Sequence, residues 1–228
     1  MFLKVPLNLS EIRPFQDQVF EGLKELEVVH TDLKLDNVVL VNQKYYPFKV
    51  KLIDFSVAYL KSELKQGMRV QPNAFQAPEV SLGLPLSEAM DMWSLGCILV
   101  DLYLVFHPFF GTPYENQMII SDTLGFAPKE ILSQEDSQWR LKTPDKNQKE
   151  TGLESLKSLG PLQGYDLDQA IQSFPPINRN PEFRDRLNFV SLCECLLHLD
   201  HRKRITPSAA LCHPFITMEF PLKKLLVN

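Results

Sequence analysis

His30-Thr31-Asp32-Leu33-Lys34-Leu35-Asp36-Asn37, followed by Ile53-Asp54-Phe55-Ser56, is the stretch of sequence that decides the fold. Between these segments, residues 38–41 and 48–53 are runs rich in β-branched and apolar side chains, and a polar turn separates them. This pattern predicts a β-hairpin, which would bring the loop around Asp32 beside Asp54. Phosphoryl transfer uses such a cluster, in which one carboxylate accepts a hydroxyl proton, oxygen ligands hold magnesium and a cation contacts the phosphate.

Composition and charge are those of an ordinary soluble globular protein. The 228 residues are 44% hydrophobic and 23% charged, with a net charge of −4. This balance gives no case for attraction to nucleic acid or to a membrane surface, so we predict neither as a direct partner. The run His201-Arg202-Lys203-Arg204 is basic. It leaves a role in nuclear import open, although a solvated loop is the preferred interpretation.

Cysteine usage favours a reducing, intracellular compartment. The four cysteines are Cys97, Cys193, Cys195 and Cys212, which are too few for a disulfide framework. Cys193 and Cys195 with His198 and His201 leave a zinc site open. Their spacing fits no structural zinc pattern, and buried thiols on an amphipathic helix are the preferred explanation. The N-terminus also lacks the basic and apolar regions of a signal peptide.

Helical patterns dominate the rest of the chain. Residues 15–29 carry apolar side chains at helical spacing. Residues 92–110 are apolar but include Asp101 and Pro108, which predicts a buried helix rather than a membrane span. Ser87 is the predicted N-cap of that helix, and Thr206-Pro207 is the predicted start of the last helix. We therefore predict a mainly α fold with a small β-hairpin, in a single domain over residues 1–228.

Six strings in consistent order resemble the C-terminal lobe of a eukaryotic protein kinase. The resemblance is strongest to the homeodomain-interacting protein kinases, with the dual-specificity tyrosine-regulated kinases as near relatives. The strings are residues 47–55, 82–85, 90–97, 139–144, 204–207 and 213–215. The resemblance implies a protein-kinase-like C-terminal lobe. Its catalytic loop would be residues 30–37, its metal-binding and activation segment residues 54–79, and an insert would lie at about residues 127–185.

The same resemblance implies roles for individual residues. Asp32 would accept the proton of the substrate hydroxyl, and Lys34 would contact the transferring phosphate. The implied cofactors are ATP and Mg²⁺. Asn37 and Asp54 would hold the Mg²⁺ ion and, through it, the phosphates of ATP. The remaining residues would be structural: His30 packs beneath Phe55, Glu79 pairs with Arg204, and Asp91 receives backbone hydrogen bonds from the catalytic loop.

Several features depart from the family pattern. No Gly-x-Gly-x-x-Gly occurs among the nine glycines, and no Val-Ala-Ile-Lys-like strand precedes His30. Because only residues 1–29 precede His30, we expect the N-terminal ATP-binding lobe to be absent. Ser56 stands in place of glycine, Thr31 in place of arginine and Arg69 in place of the activation-loop tyrosine. We therefore expect the usual phosphorylation switch to be absent.

Two functions stay open from the sequence. The first is a protein serine/threonine kinase that transfers the γ-phosphate of ATP to protein hydroxyls, present here as a partial domain that is inactive alone. The second is a catalytically inactive, kinase-derived module that binds proteins. Both imply protein substrates or regulatory proteins as partners, in the nucleus, the cytoplasm or both. An apolar face near Val38, Leu40, Ile53 and Phe55, which normally meets the small lobe, would require a partner.

Overall fold

The computed structural model describes residues 6–125, 166–173 and 180–218, which form eight helices and four short strands. The helices are α1 (Leu9–Glu25), α2 (Pro78–Ser81), α3 (Ala89–Leu104), α4 (Pro113–Leu124), α5 (Leu167–Ser173), α6 (Asn180–Leu196), α7 (Pro207–Leu211) and α8 (Pro214–Thr217). The strands are β1 (Val28–Val29), β2 (Val38–Asn42), β3 (Tyr46–Leu52) and β4 (Tyr59–Leu60). The predicted mainly α fold with a small β-hairpin is confirmed. Most of the predicted insert, including residues 139–144, lies outside the described residues.

Helix α1 leads, through β1, into the loop over residues 30–37. It begins earlier than the predicted residue 15, because Asn8 and Glu11 form a capping box: the Glu11 N–H donates to Asn8 Oδ1, and the Asn8 N–H donates to Glu11 Oε2. The apolar side of α1, which includes Phe15, Val19 and Leu23, is buried in the core. The helix ends at Glu25, and the chain then becomes extended and enters β1.

The predicted hairpin is formed by β2 and β3, which pair in antiparallel register from Val38 opposite Leu52 to Asn42 opposite Tyr46. The side chain of Gln18 on α1 binds the backbone of β3 at two points. Its Nε2 donates to the Phe48 carbonyl at 2.9 Å, and its Oε1 accepts from the Val50 N–H at 3.1 Å. The Gln18 amide thus satisfies backbone groups of β3 as a neighbouring strand would. It fixes the hairpin against α1, and with it the position of the chain that leaves β3 toward Asp54.

Helix α3 is the centre of the core. Met90 to Leu104 are all buried, including Trp93, whose ring stacks on Phe109 with centroids 5.5 Å apart. The prediction that Ser87 is the N-cap was wrong, because Glu88 occupies that position, although Ser87 Oγ does accept a hydrogen bond from the Ala89 N–H. A buried helix of this kind gives its N-terminal carboxylate, Asp91, a fixed position from which to hold other segments.

Two further expectations require correction. Val38, placed on the exposed apolar face, is only 9% exposed and belongs to the core, whereas Ile53 and Phe55 are 40% and 41% exposed. Val38 begins β2 and packs in the core, whereas Ile53 and Phe55 lie beyond the end of β3. The helix that begins after Thr206 is α7, as predicted, but it is not the last one, because His213 caps a further short helix, α8.

Val105, the residue that caps the C-terminal end of α3, allows a first prediction about stability. Its backbone is left-handed, with φ 61°, a conformation that β-branched residues rarely adopt. We expect Val105→Gly to be more stable than Val105→Ala by about 1 kcal/mol, since glycine alone avoids the Cβ penalty of that conformation. Urea unfolding of both variants measures the difference. Equal stabilities would show that the backbone at this position carries no such strain.

Candidate active site

Asp91, near the start of α3, binds the backbone at the start of the loop over residues 30–37. Asp91 Oδ2 accepts the His30 N–H at 2.7 Å, and Oδ1 accepts the Thr31 N–H at 3.0 Å. Burial raises the pKa of Asp91 to about 6, although the two N–H donors lower it. Thr31 adopts a left-handed backbone with φ 61° and is only 2% exposed. The carboxylate on α3 therefore fixes a loop conformation that the chain would otherwise avoid.

His30 joins this loop to the segment that follows β3. Its Nε2 lies 3.0 Å from the Ile53 carbonyl, and its Nδ1 accepts the Asp32 N–H at 3.3 Å. These partners assign the neutral tautomer with the proton on Nε2. The imidazole also contacts the Phe55 ring, with centroids 4.7 Å apart. A further hydrogen bond, from the Ile53 N–H to the Asn37 carbonyl, ties the two segments together at 3.0 Å.

Asp32, Lys34 and Asn37 form one hydrogen-bonded cluster. Lys34 Nζ donates to Asp32 Oδ2 at 2.8 Å, and Asn37 Nδ2 donates to the same oxygen at 2.9 Å and to the Asp32 carbonyl at 2.8 Å. In the part of the chain that the structure describes, no donor bonds Asp32 Oδ1. The Asp32 side chain is 18% exposed. The hydrogen bonds to Oδ2 therefore orient the carboxylate, and Oδ1 remains available to accept a hydrogen bond or a proton.

Asp54 lies at the exit of β3 and is exposed. Its backbone is left-handed, with φ 64°, and Ser56 Oγ donates to its Oδ1 at 2.6 Å. Hydrogen bonds from the Ser56 side chain and backbone lower the pKa of Asp54, and the positive charge of Lys34 lowers it further. Asp54 is therefore an ionised carboxylate at neutral pH, and Lys34 acts electrostatically on it as well as on Asp32.

Glu79 and Arg204 form a buried ion pair that links α2 to the loop before α7. Nη1 donates to Oε1 at 2.6 Å and Nη2 to Oε2 at 2.9 Å, and the two side chains are 1% exposed or less. Arg204 also donates to the Ala89 and His198 carbonyls, and its guanidinium lies 5.2 Å from the Trp93 ring centroid. The pair fixes the end of the segment that begins at Asp54.

Two residues of this region were missed from the sequence. Thr31, considered only as a departure from arginine, donates from Oγ1 to the Val57 carbonyl at 2.6 Å and so binds the loop to the segment after Asp54. Gln71 donates to the Met90 carbonyl and to Ser94 Oγ, each at 2.8 Å, and accepts the Ala77 N–H. Local sequence carries no signal for such contacts. Arg69, in contrast, is exposed.

Other sites considered from the sequence receive no support. Within residues 6–125, 166–173 and 180–218, no group of three or more His, Cys, Asp or Glu side chains could hold a metal ion. Cys193 is fully buried, and burial raises the pKa of its thiol, as expected for an inert core cysteine. None of the described helices is both long and apolar enough to cross a membrane.

The fold and this site define the class of protein. The family model of the protein kinase domain matches residues 3–216, and the chain belongs to that family. Its described residues have a mainly helical, truncated protein kinase fold.

Curated relatives at 32–37% identity are homeodomain-interacting protein kinases. The chain is 37% identical over 235 residues to homeodomain-interacting protein kinase 2 of Mesocricetus auratus, over 93% of this chain and 20% of that protein. It is 34% identical to homeodomain-interacting protein kinase 1 of Mus musculus, over 93% of this chain and 19% of that protein. It is 33% identical to homeodomain-interacting protein kinase 4 of Mus musculus, over 94% and 40%. The chain thus spans about a fifth to two fifths of their length.

Proposed function

We propose that this protein kinase family member provides the substrate-side half of a serine/threonine kinase active site, which transfers the γ-phosphate of ATP to protein hydroxyls. The observation that carries the proposal is the convergence of Lys34 Nζ and Asn37 Nδ2 on one oxygen of Asp32. An acceptor held in this way, with its second oxygen open, has the arrangement that a general base requires.

Each member of the cluster has a chemical task in this proposal. Asp32 Oδ1 accepts the proton of a serine or threonine hydroxyl as the hydroxyl oxygen attacks the γ-phosphorus of ATP, and the bond from that phosphorus to the leaving ADP breaks. Lys34 stabilises the negative charge of the phosphoryl group during transfer. The buried Asp91 keeps the loop in position, so that little reorganisation is needed at the moment of reaction. The serine or threonine belongs to a protein substrate, whose sequence the proposal does not specify.

The donor set of Asn37 and Asp54 fits Mg²⁺. Asn37 uses its amide nitrogen to bind Asp32, which leaves the amide oxygen as a ligand, and Asp54 is ionised and exposed. One carboxylate and one amide oxygen are hard ligands, and Mg²⁺ in kinase sites combines such protein ligands with substrate phosphates and water. When bound, the ion neutralises charge on the phosphates of ATP.

The 228 residues alone are proposed to turn over little or no substrate. They contain no Gly-x-Gly-x-x-Gly to cover the phosphates. Asn37 and Asp54 would hold the metal and the terminal phosphates, but the adenine would remain in water. Preorganised electrostatics usually supply the largest share of catalysis. An active site that contacts only one side of the nucleotide lacks much of this preorganisation.

A second candidate function, a kinase-derived protein-binding module, is favoured by Ser56. Its Oγ occupies one oxygen of Asp54, an oxygen that magnesium would otherwise contact. The apolar side chains of Ile53, Phe55 and Val57, in the same stretch of chain, are exposed, and a regulatory protein could cover them. On either proposal the protein acts inside the cell, in the nucleus, the cytoplasm or both.

Nucleotide binding distinguishes the two proposals. With millimolar Mg·ATP, we expect the melting temperature of the chain to rise by about 3 °C, which corresponds to about 1.4 kcal/mol at ten times the dissociation constant. Asp54→Ala should abolish the rise, because the metal loses its charged ligand. Ser56→Gly is the matched control, and it should retain or enlarge the rise, because it frees Asp54 Oδ1. Thermal unfolding with and without the nucleotide measures all three chains.

Two outcomes of this experiment would contradict the kinase proposal. If Mg·ATP produces no rise in the parent chain or in Ser56→Gly, the chain does not hold the nucleotide, and the protein-binding module becomes the better description. If Asp54→Ala keeps the full rise, the nucleotide binds elsewhere and the proposed cluster is wrong.

A further inference from the structure

A cavity of about 470 Å³ lies away from the Asp32 cluster, between the end of α1, the start of α3 and the loop that leads into α7. Its volume is in the range of small-molecule sites. Its apolar lining comes from three separate parts of the chain: Leu23, Leu26, Val28, Met92, Ile205 and Pro207. None of the roles assigned above uses this space.

Charged groups of both signs line the cavity: Lys24, Lys61, Arg202, Arg204, Glu88 and Asp91. Arg202 is already bound to Asp200 and Arg204 to Glu79, so Lys24 and Lys61 are the cations that an arriving anion would meet. Both carboxylates already have donors: Glu88 accepts from Lys61 at 3.1 Å, and Asp91 accepts the backbone of the loop at residues 30–31. An arriving cation would therefore find no free acid, whereas an anion would find ammonium groups.

Lys24 is the best placed of these cations. It lies in the last turn of α1, and its Nζ is 3.7 Å from both Glu21 and Glu25, which is longer than an ordinary hydrogen bond. Such exposed ion pairs contribute little, so the ammonium can turn toward a better acceptor at small cost. Lys61, although paired with Glu88, is also half exposed.

The cavity touches the two elements that fix the active site. Asp91 holds the His30 and Thr31 N–H groups, and Arg204 holds Glu79 at the end of the segment that begins at Asp54. The Lys61–Glu88 pair joins that same segment to the start of α3. A molecule bound against these side chains would restrict motions that open the catalytic loop.

We propose that this cavity is a binding site for a small amphipathic anion, an aryl-alkyl carboxylate in which the apolar body fills the pocket and the carboxylate meets Lys24 and Lys61. Binding slows opening of the loop over residues 30–31 through Asp91. The proposal concerns binding and does not rest on phosphoryl transfer.

A pair of probes with opposite charge tests the proposal on the full chain. 4-Phenylbutyrate and 4-phenylbutylamine have the same apolar body, and a titration followed by two-dimensional amide NMR measures each. We expect the carboxylate to shift the amide resonances of Ala89, Met92 and Ile205, and to slow hydrogen exchange of the His30 and Thr31 amides about threefold. The amine should bind at least tenfold more weakly.

Two substitutions and one matched control locate the site. Ser208→Phe places a ring in the cavity mouth and should weaken 4-phenylbutyrate binding at least tenfold, whereas Ala209→Phe, at the next and equally exposed position outside the lining, should not. Lys24→Gln should weaken it about fivefold and leave the fold intact, since Lys24 is exposed. Equal binding of acid and amine, or equal effects of the two phenylalanine variants, overturns the proposal, as does absence of binding at 10 mM, roughly the limit for a weak small ligand.

Discussion

Arg204→Met is expected to lower the free energy of unfolding by about 3–5 kcal/mol. The substitution keeps much of the side-chain volume but removes both hydrogen bonds to Glu79, at 2.6 and 2.9 Å, from a site where the carboxylate is 1% exposed. It also leaves the Ala89 and His198 carbonyls without their charged donor. The cost arises because a buried carboxylate without a partner has neither water nor a counter-charge.

Urea unfolding of the parent chain and the variant measures this effect. Lys203→Met is the matched control, because the neighbouring Lys203 is 69% exposed and lies 3.9 Å from Asp200, so its loss should change stability by less than about 0.5 kcal/mol. The double variant Glu79→Met/Arg204→Met should recover much of the loss, since no uncompensated charge remains. A cost for Arg204→Met no larger than that of the control would contradict the assignment of this pair as a structural anchor.

The fold was largely predictable because its signals are local. The β-branched runs around a polar turn gave the hairpin, and the long apolar stretch around Trp93 gave the buried helix α3. The errors lie at boundaries, where one hydrogen bond decides. The start of α1 depends on the reciprocal Asn8–Glu11 bonds, and the N-cap of α3, Glu88, lies one residue beyond Ser87. Burial of Val38 depends on which face of β2 meets the core, which local pattern alone does not decide.

The candidate site was predictable to a different extent. The order of Asp32, Lys34, Asn37 and Asp54 in the sequence indicated the cluster, because loops at the ends of a hairpin are brought together. The hydrogen bonds from the loop backbone to Asp91 were expected from the family resemblance alone. The bond from the Thr31 side chain to the Val57 carbonyl could not be predicted, since its partner is distant in sequence. The replacement of glycine by Ser56 was visible in the sequence, but the hydrogen bond from its hydroxyl to Asp54 was not.

Asp91 provides the second large effect, as a dependence of stability on pH. In the unfolded chain an aspartate has a pKa of about 3.9, whereas burial raises the pKa of Asp91 to about 6 in the folded chain. Between these values the folded state holds more protons than the unfolded state. The stability from this group is therefore fully present below about pH 4 and is lost as the pH rises through 6, by about 3 kcal/mol.

Asp91→Asn removes this titration while it keeps the shape of the side chain. We expect the stability of the parent chain relative to Asp91→Asn to fall by about 3 kcal/mol between pH 4 and pH 7, measured by urea unfolding at several pH values. Glu27→Gln, an exposed substitution before the loop, should change stability by less than about 0.5 kcal/mol at every pH. A pH-independent difference between the parent chain and Asp91→Asn would show that Asp91 is not destabilised by burial. The expected result would instead mean that the fold tolerates a costly buried carboxylate because its two oxygens hold the His30 and Thr31 amides, and with them the loop that carries Asp32.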